Sequence, residues 1–215
     1  MAKKFDPSLY LVTDPALTRG RSVLEIVRAA VTGSATLVQL REKDATTREF
    51  ITKALELRKF LNDAGVPLII NDRVDVALAA RADGVHLGAD DMPYQMAREL
   101  LGPDAIIGMS VQSVEEAVAA SSVGPDYIAV SPVFATGTKP DHAPPLELGG
   151  LRDIRRRVSN RLIAIGGITA GNAADVIAAG ADGIAVVTAL TMADDPAVAA
   201  RDLLNEIARG REYPN

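Results

Sequence analysis

Eight short runs of mostly β-branched and aliphatic residues alternate along the chain with longer segments rich in Ala, Leu, Glu and Arg. The runs are nearly continuous in hydrophobicity, which is typical of parallel strands covered on both faces. The longer segments carry apolar residues at helical spacings of three and four, as in residues 47–64. The predicted strands are 9–13, 36–40, 67–71, 84–87, 105–109, 127–130, 161–165 and 183–187. The pattern therefore predicts eight successive strand–helix units.

A weak internal sequence repeat indicates how these units are arranged. Ala82-Asp83-Gly84-Val85 resembles Ala181-Asp182-Gly183-Ile184, and looser versions stand at the second and sixth strands. A repeat of this period also occurs in solenoids. Eight units with a segment repeated four times favour a closed, single-domain (β/α)₈ barrel, because closure leaves no unpaired edge strand.

The main alternative is an open, doubly wound sheet. Such a sheet commonly has a G-x-G-x-x-G turn after its first strand. Here the first strand is followed by Asp14 and Pro15 instead. No linker or change of composition divides the chain, so we expect one domain over residues 1–215.

Composition excludes several functional classes. The formal net charge of −5 argues against a nucleic-acid protein, which normally carries a basic stripe. The chain has no cysteine and two histidines, which excludes disulfides, a Cys nucleophile and a zinc site of three histidines. Residues 1–7 lack the apolar run of a signal peptide, and no segment is long and apolar enough to span a membrane. We therefore expect a cytoplasmic protein that binds neither membrane nor nucleic acid.

Cations follow two of the predicted strands. In (β/α)₈ barrels the active site lies at the carboxyl ends of the strands. Arg41 and Lys43 alternate after the second strand, so both can point the same way, and Lys139 follows the sixth. Three positive charges suit a multiply charged anion such as a diphosphate. The alternative is that these cations only pair with neighbouring acids, namely Glu42, Asp44 or Asp72.

Two carboxylates follow the third and fourth strands. Asp72 and Asp91, together with phosphate oxygens and water, would hold Mg²⁺ in its usual manner. Each of them could instead cap a helix. Asp90 competes with Asp91 for the same role, and spacing alone does not decide between them.

The last two strands indicate a phosphate site. Gly166 and Gly167 follow the seventh strand, and Val187 and Thr188 stand at the end of the eighth. Backbone N–H groups there can approach a phosphate closely, although a tight turn is the ordinary alternative. The long loop over residues 132–145 is expected to act as a lid over an anionic ligand. Its His142 is expected to be solvated, and His86, inside a strand, to be a packed histidine.

These segments together resemble the bacterial thiamine-phosphate synthase (thiamine-phosphate pyrophosphorylase) family, over nearly the whole chain. The most specific are Val38-Gln39-Leu40-Arg41-Glu42-Lys43, Ile69-Ile70-Asn71-Asp72-Arg73-Val74-Asp75, Gly84-Val85-His86-Leu87-Gly88, Thr138-Lys139-Pro140 and Ala164-Ile165-Gly166-Gly167-Ile168. The family fold is a TIM barrel. The resemblance implies a transferase of thiamine biosynthesis that joins hydroxymethylpyrimidine diphosphate to hydroxyethylthiazole phosphate with Mg²⁺, and it implies a homodimer.

The resemblance also implies roles for individual residues. Arg41, Lys43, Asn71 and Lys139 would hold the diphosphate, and Asp72 and Asp91 would bind Mg²⁺. Gln39 and Ser110 would contact the pyrimidine. The thiazole phosphate would be bound by Thr136, Thr138, Gly167, Val187 and Thr188. In this assignment Arg41, Lys43, Ser110 and Lys139 are the catalytic set.

The chain departs from the family pattern at three places. It has Ala89-Asp90-Asp91 where Gln-Glu-Asp is usual, Val111-Gln112 where Thr-His is frequent, and Ser131 where Gly is common. Two other functions stay open at this point. A thiazole tautomerase shares the barrel but uses a histidine where Gln112 stands, and a regulatory phosphate-binding barrel would bind without turnover.

Overall fold

All eight predicted strands form, and they pair in parallel, in chain order, into a closed barrel in which β8 returns to β1. The computed structural model describes residues 5–137 and 143–212. The strands are β1 (Leu9–Val12), β2 (Leu37–Leu40), β3 (Leu68–Asn71), β4 (Gly84–Leu87), β5 (Ile106–Val111), β6 (Tyr127–Val130), β7 (Leu162–Ile165) and β8 (Gly183–Val186). The barrel prediction is confirmed, and the open-sheet alternative is wrong.

Helices follow the strands around the outside of the barrel. Within the described residues they are α1 (Val23–Thr32), α2 (Thr47–Ala64), α3 (Val74–Ala80), α4 (Tyr94–Leu101), α5 (Val114–Val123), α6 (Glu147–Arg157), α7 (Ala173–Ala178), α8 (Thr188–Thr191) and α9 (Pro196–Glu212). Ser22 and Thr46 start α1 and α2 with complete capping boxes, because each accepts from the N–H of a glutamate three residues on. The order of these strands and helices confirms that the chain folds as successive strand–helix units.

Residues alternate between two cores along each strand. Leu9 and Leu11 of β1 pack outward against the helices, and Tyr10 and Val12 point into the barrel. The outer core consists mainly of Ala, Val, Ile and Leu, as the scarcity of aromatic residues requires. The inner core is smaller and contains the buried rings of Tyr10 and Tyr127. The interior of the barrel is therefore filled by side chains, and we expect the functional site at one end of it.

All eight strands point the same way, so the residues that follow them meet at one end of the barrel. This end is the place where the predicted cations, carboxylates and glycines come together. Among the helices of the described residues, none is long and apolar enough to cross a membrane.

Candidate functional site

A cavity of about 680 Å³ opens at the carboxyl end of the barrel, and residues from all eight strands or the loops after them line it. Eleven of the thirteen predicted site residues line this cavity, which brings them together from distant parts of the chain. They are Gln39, Arg41, Lys43, Asn71, Asp72, Asp91, Ser110, Thr136, Gly167, Val187 and Thr188. The other two, Thr138 and Lys139, lie outside the described residues, as does His142.

The two cations after β2 both face the cavity, as their alternation predicts. A guanidinium nitrogen of Arg41 lies 2.8 Å from a carboxylate oxygen of Asp14, in the loop after β1. The ammonium of Lys43 lies 2.6 Å from a carboxylate oxygen of Asp72. Glu42, between them, is buried and accepts from Lys53. Both cations are thus paired with acids while still lining the cavity.

Neither carboxylate predicted to bind metal caps a helix. Asp72 has a φ of 63°, and α3 begins after Arg73 without a side-chain cap. Asp91 accepts a hydrogen bond of 2.6 Å from the N–H of Gly88, and α4 begins after Pro93, also without a side-chain cap. The capping alternative is therefore wrong for both residues. Asp91 instead stabilises the turn after β4.

The pKa values of the two carboxyl groups, Asp72 and Asp91, are shifted in opposite directions. Burial raises the pKa of Asp72, but hydrogen bonds from Lys43 and Asp91 and the positive charge of Lys43 outweigh burial and leave that pKa below its usual range. The pKa of Asp91 is raised, first by burial and then by the hydrogen bond to Asp72 and its charge. The negative charges of Asp72 and Asp91 thus repel each other, and a cation bound between the two carboxylates would relieve this repulsion.

The described residues contain no cluster of three or more His, Cys, Asp or Glu side chains that could hold a metal ion. A cation at this site would therefore take two carboxylates from the protein and its remaining ligands from a bound anion and water. Mg²⁺ accepts this arrangement, since it usually keeps several waters and binds through one or two carboxylates plus phosphates.

The opposite side of the cavity is lined by backbone of unusual conformation. Gly166 and Gly167 have φ values of 104° and 64°. A Cβ at Gly167 would lie 2.6 Å from the carbonyl oxygen of Ala135, so only glycine fits between β7 and the loop after β6. Val187 and Thr188 begin the short helix α8 beside them. Exposed backbone of this kind suits a phosphate group.

Five polar groups, which we name the floor chain, cross the bottom of the cavity. The amide of Gln39 donates to the Tyr10 hydroxyl at 2.8 Å, and that hydroxyl lies 3.0 Å from the Tyr127 hydroxyl. Tyr127 lies 2.9 Å from Nδ1 of His86, and Nε2 of His86 lies 2.8 Å from Oγ of Ser110. His86 is packed and buried as expected, and it also lines the cavity.

The sequence analysis missed three residues of this site. Asp14 directly follows the predicted first strand, and the rule that selected Arg41 and Asp72 would have selected it too. Tyr10 and Tyr127 occupy inward positions of their strands, which strict alternation from the predicted rim residues would have indicated. Their hydrogen-bond partners depend on how the strands are staggered in the closed barrel, which the sequence does not express.

Fold and site together define a class of protein: a (β/α)₈ barrel whose open end gathers cations, a carboxylate pair and glycine-rich backbone around a cavity for anionic ligands. The family model described as thiamine monophosphate synthase matches residues 9–190. The chain belongs to this family.

Individual relatives agree with this assignment. The chain is 57% identical over 198 residues to the thiamine-phosphate synthase of Chloroflexus aurantiacus, covering 92% of this chain and 91% of the relative. It is 54% identical over 192 residues to the thiamine-phosphate synthase of Albidiferax ferrireducens, covering 89% and 88% of the two chains. The solved thiamine phosphate pyrophosphorylase of Pyrococcus furiosus superposes with a TM-score of 0.87 at 40% identity, covering 95% and 97%.

Proposed function

We propose that this chain is a thiamine-phosphate synthase, a transferase that joins hydroxymethylpyrimidine diphosphate to hydroxyethylthiazole phosphate and releases diphosphate. Family membership and the names of the relatives support this activity. The observation in the structure that carries the proposal is the convergence of Arg41, Lys43, Asp72 and Asp91 on one cavity. Such a set of charges suits a reaction in which a diphosphate departs.

In the proposed reaction, the bond between the pyrimidine methylene carbon and the diphosphate oxygen breaks first. Its electron pair leaves with the diphosphate, and the methylene carbon becomes a carbocation. The lone pair of the thiazole nitrogen then forms the new carbon–nitrogen bond. Arg41, Lys43 and Asn71 stabilise the negative charge that builds on the departing diphosphate, because all three line the cavity in which that charge develops. Lys139 has the same role by resemblance and lies outside the described residues.

Asp72 and Asp91 are proposed to hold Mg²⁺ beside this diphosphate. The raised pKa of Asp91, caused by burial and by the adjacent Asp72, supports a cation between the two groups. When bound, Mg²⁺ would neutralise charge on the diphosphate and so make it a better leaving group. Lys43, which is bonded to Asp72, orients that carboxylate.

The two substrates, the pyrimidine diphosphate and the thiazole phosphate, are assigned to opposite sides of the cavity. Gln39 and Ser110 are proposed to contact the pyrimidine ring. The thiazole phosphate is assigned to Thr136, Gly167, Val187 and Thr188, and by resemblance to Thr138. The glycine backbone at β7, which leaves no space for a Cβ at Gly167, supports the phosphate assignment.

The decisive experiment incubates the protein with both substrates and Mg²⁺ and detects thiamine phosphate by thiochrome fluorescence. We expect product well above a heat-inactivated control. Binding of the phosphate substrates without product would instead indicate the regulatory barrel. Isomerisation of a thiazole without condensation would indicate a tautomerase, a function that Gln112 disfavours.

A homodimer is also part of the proposal and is tested by the mass of the particle in light scattering. Exposed apolar side chains on neighbouring helices offer a surface for it, among them Leu78, Met96 and Leu100. A monomer at micromolar concentration would contradict it. Localisation to the cytoplasm stays a prediction from the sequence.

A further inference from the structure

Arg21, in the loop after β1 (residues 13–22), reaches across to the segment that ends α8. One terminal nitrogen of its guanidinium donates to the carbonyl oxygens of Thr191 and Ala193, each at 2.8 Å. The other terminal nitrogen donates to the carbonyl oxygen of Asp194 at 3.3 Å. Arg21 itself is not one of the described residues that line the cavity. Any effect of Arg21 on a bound ligand must therefore pass through α8.

The helix that these bonds hold is too short to be stable by itself. It has four residues, whereas isolated helices need about 12–15 residues to be even marginally stable in water. The last carbonyl groups of a helix also lack partners within it, and Arg21 supplies donors to them. Arg19 adds a bond of 3.1 Å to the carbonyl oxygen of Met192. Contacts with the loop after β1 therefore help to define where α8 ends.

The position of α8 is also unfavourable for one of its side chains. Thr191 is 1% exposed, and its hydroxyl oxygen has no hydrogen-bond partner among the described residues. A buried hydroxyl without a partner is unfavourable, and a movement of the helix towards solvent would let water bond to it. The bonds from Arg21 to the main chain oppose this movement.

A short path of hydrogen bonds connects Arg21 to the main chain at the cavity. The peptide group between Thr191 and Met192 accepts from Arg21 at its carbonyl oxygen. The N–H of the same peptide group donates to the carbonyl oxygen of Thr188 at 3.1 Å, and the N–H of Thr191 donates to that of Val187 at 2.9 Å. Val187 and Thr188 both line the cavity. A displacement at the end of α8 is thus passed to the residues assigned to the phosphate.

Arg21 is itself held by its own loop. Its Nε and its main-chain N–H both donate to the carbonyl oxygen of Thr18, at 3.3 Å and 3.2 Å, and Thr18 is buried. The other end of the loop carries Asp14, which pairs with Arg41. The loop therefore supports one side of the cavity through Asp14 and the opposite side through Arg21.

We propose that Arg21 is a positioning residue for the thiazole phosphate. It fixes the end of α8 and thereby holds the main chain of Val187 and Thr188 in the orientation that binds the phosphate. The loop after β1 then serves the two substrates through separate residues, Asp14 for the diphosphate and Arg21 for the phosphate. The inference rests on the proposed function, which assigns the thiazole phosphate to Val187 and Thr188.

Hydrogen exchange followed by mass spectrometry tests the positioning without any ligand or activity. In Arg21→Ala we expect the protection of main-chain N–H groups in residues 187–193 to fall at least about tenfold, because the carbonyl groups at the end of α8 lose their donors. Protection in the barrel strands should not change. Unchanged protection of residues 187–193 would overturn the proposal.

Calorimetry with hydroxyethylthiazole phosphate measures the consequence for binding. We expect Arg21→Ala to raise its Kd about tenfold, equivalent to about 1.4 kcal/mol, and to leave Kd for the pyrimidine diphosphate with Mg²⁺ unchanged. Arg21→Lys keeps the charge but replaces the planar fork of donors with one ammonium, so it should raise the same Kd by a smaller factor. If Arg21→Ala does not fold, Arg21→Lys decides. An equal loss of affinity for both substrates would indicate a merely structural role and overturn the proposal.

The matched control is Arg155→Ala. Arg155 also donates to carbonyl oxygens beyond the end of a helix, those of Val158 and Asn160, but α6 ends at the opposite end of the barrel. This variant should leave both Kd values unchanged. Formation of thiamine phosphate with an unchanged phosphate affinity in Arg21→Ala would overturn the positioning role and not the proposed function. A selective loss of that affinity, without thiamine phosphate from the unaltered protein, would contradict the proposed function and support the positioning role.

Discussion

The ammonium of Lys43, in the loop after β2, lies 2.6 Å from Oδ2 of Asp72, directly after β3. This bond joins a group proposed to hold diphosphate to a group proposed to hold Mg²⁺. The Lys43 side chain is 51% exposed, so the pair contributes little to folding. We therefore expect the loss of either partner to affect ligand binding more than stability.

We expect Asp72→Asn to abolish Mg²⁺-dependent turnover while leaving the fold intact. The change removes the charge that the metal requires, and asparagine tolerates the φ of 63° at this position. Asp72→Ala should also abolish turnover, with added backbone strain of about 1 kcal/mol. Thiochrome fluorescence measures turnover, and circular dichroism checks the fold. Full activity of Asp72→Asn at saturating Mg²⁺ would show that Asp72 is not an essential ligand.

Asp91→Asn should stabilise the metal-free protein near neutral pH. Burial and the adjacent Asp72 raise the pKa of Asp91, so its ionised form opposes folding at any pH above that raised pKa. Asparagine keeps an acceptor for the N–H of Gly88. We expect Tm to rise by about 1–3 °C.

The sign of this effect depends on pH. As pH falls through the raised pKa, Asp91 takes up a proton and its cost disappears, so the gain from Asp91→Asn should shrink in acid. Thermal melts at several pH values test this. Asp90→Asn, at the exposed neighbouring position, is the control and should not change Tm. A Tm of Asp91→Asn below that of the unaltered protein at neutral pH would refute the prediction.

Asp14→Asn should weaken binding of the diphosphate substrate through Arg41. The Arg41 and Asp14 side chains are largely buried, and the neutral amide holds the guanidinium less well. We expect KM for this substrate to rise about tenfold, which corresponds to about 1.4 kcal/mol, while KM for the thiazole phosphate is unchanged. Asp153→Asn, which removes an exposed partner of Arg156, is the control. An equal rise in both KM values would indicate only a structural role for Asp14.

Gly167→Ala should reduce both stability and binding of the thiazole phosphate. The new Cβ would meet the carbonyl oxygen of Ala135 at 2.6 Å, at a φ of 64°. We expect the free energy of unfolding to fall by about 1–3 kcal/mol. Gly149→Ala, in α6 with open space around it, should stabilise slightly, by about 0.5–1 kcal/mol. Denaturant titration compares the two variants, and equal stability of both would contradict the prediction.

The sequence predicted the barrel because each strand is short, apolar and separated from the next by an amphipathic helix. Boundaries differ by one or two residues, as at β5, which extends to Val111. Thr169, a residue type that commonly caps helices, does not begin α7, because Asn172 accepts from the Thr169 N–H and the helix begins at Ala173. A local pattern identifies a helix more reliably than its first turn.

Which side chains gather at the cavity was also readable from the sequence, because the residue after a parallel strand must lie at the same end of the barrel. The ion-pair and hydrogen-bond partners of these side chains within the cavity could not be predicted from the sequence. Arg41 pairs with Asp14, which is not among the neighbouring acids considered as its alternative partners. Gln39 and Ser110, on β2 and β5, are joined through three other strands. Such contacts depend on how the closed barrel brings opposite strands together across its interior.

The bond between Lys43 and Asp72 makes ligand entry an exchange of partners. Diphosphate must compete with Asp72 for Lys43, and Mg²⁺ must compete with Lys43 for Asp72. Each ligand that arrives releases the group that the other one needs. We therefore expect the two to bind cooperatively, each raising the affinity for the other by the same factor. Titrations of either ligand with and without the other would measure this reciprocity, and independent binding would show that the exchange does not occur.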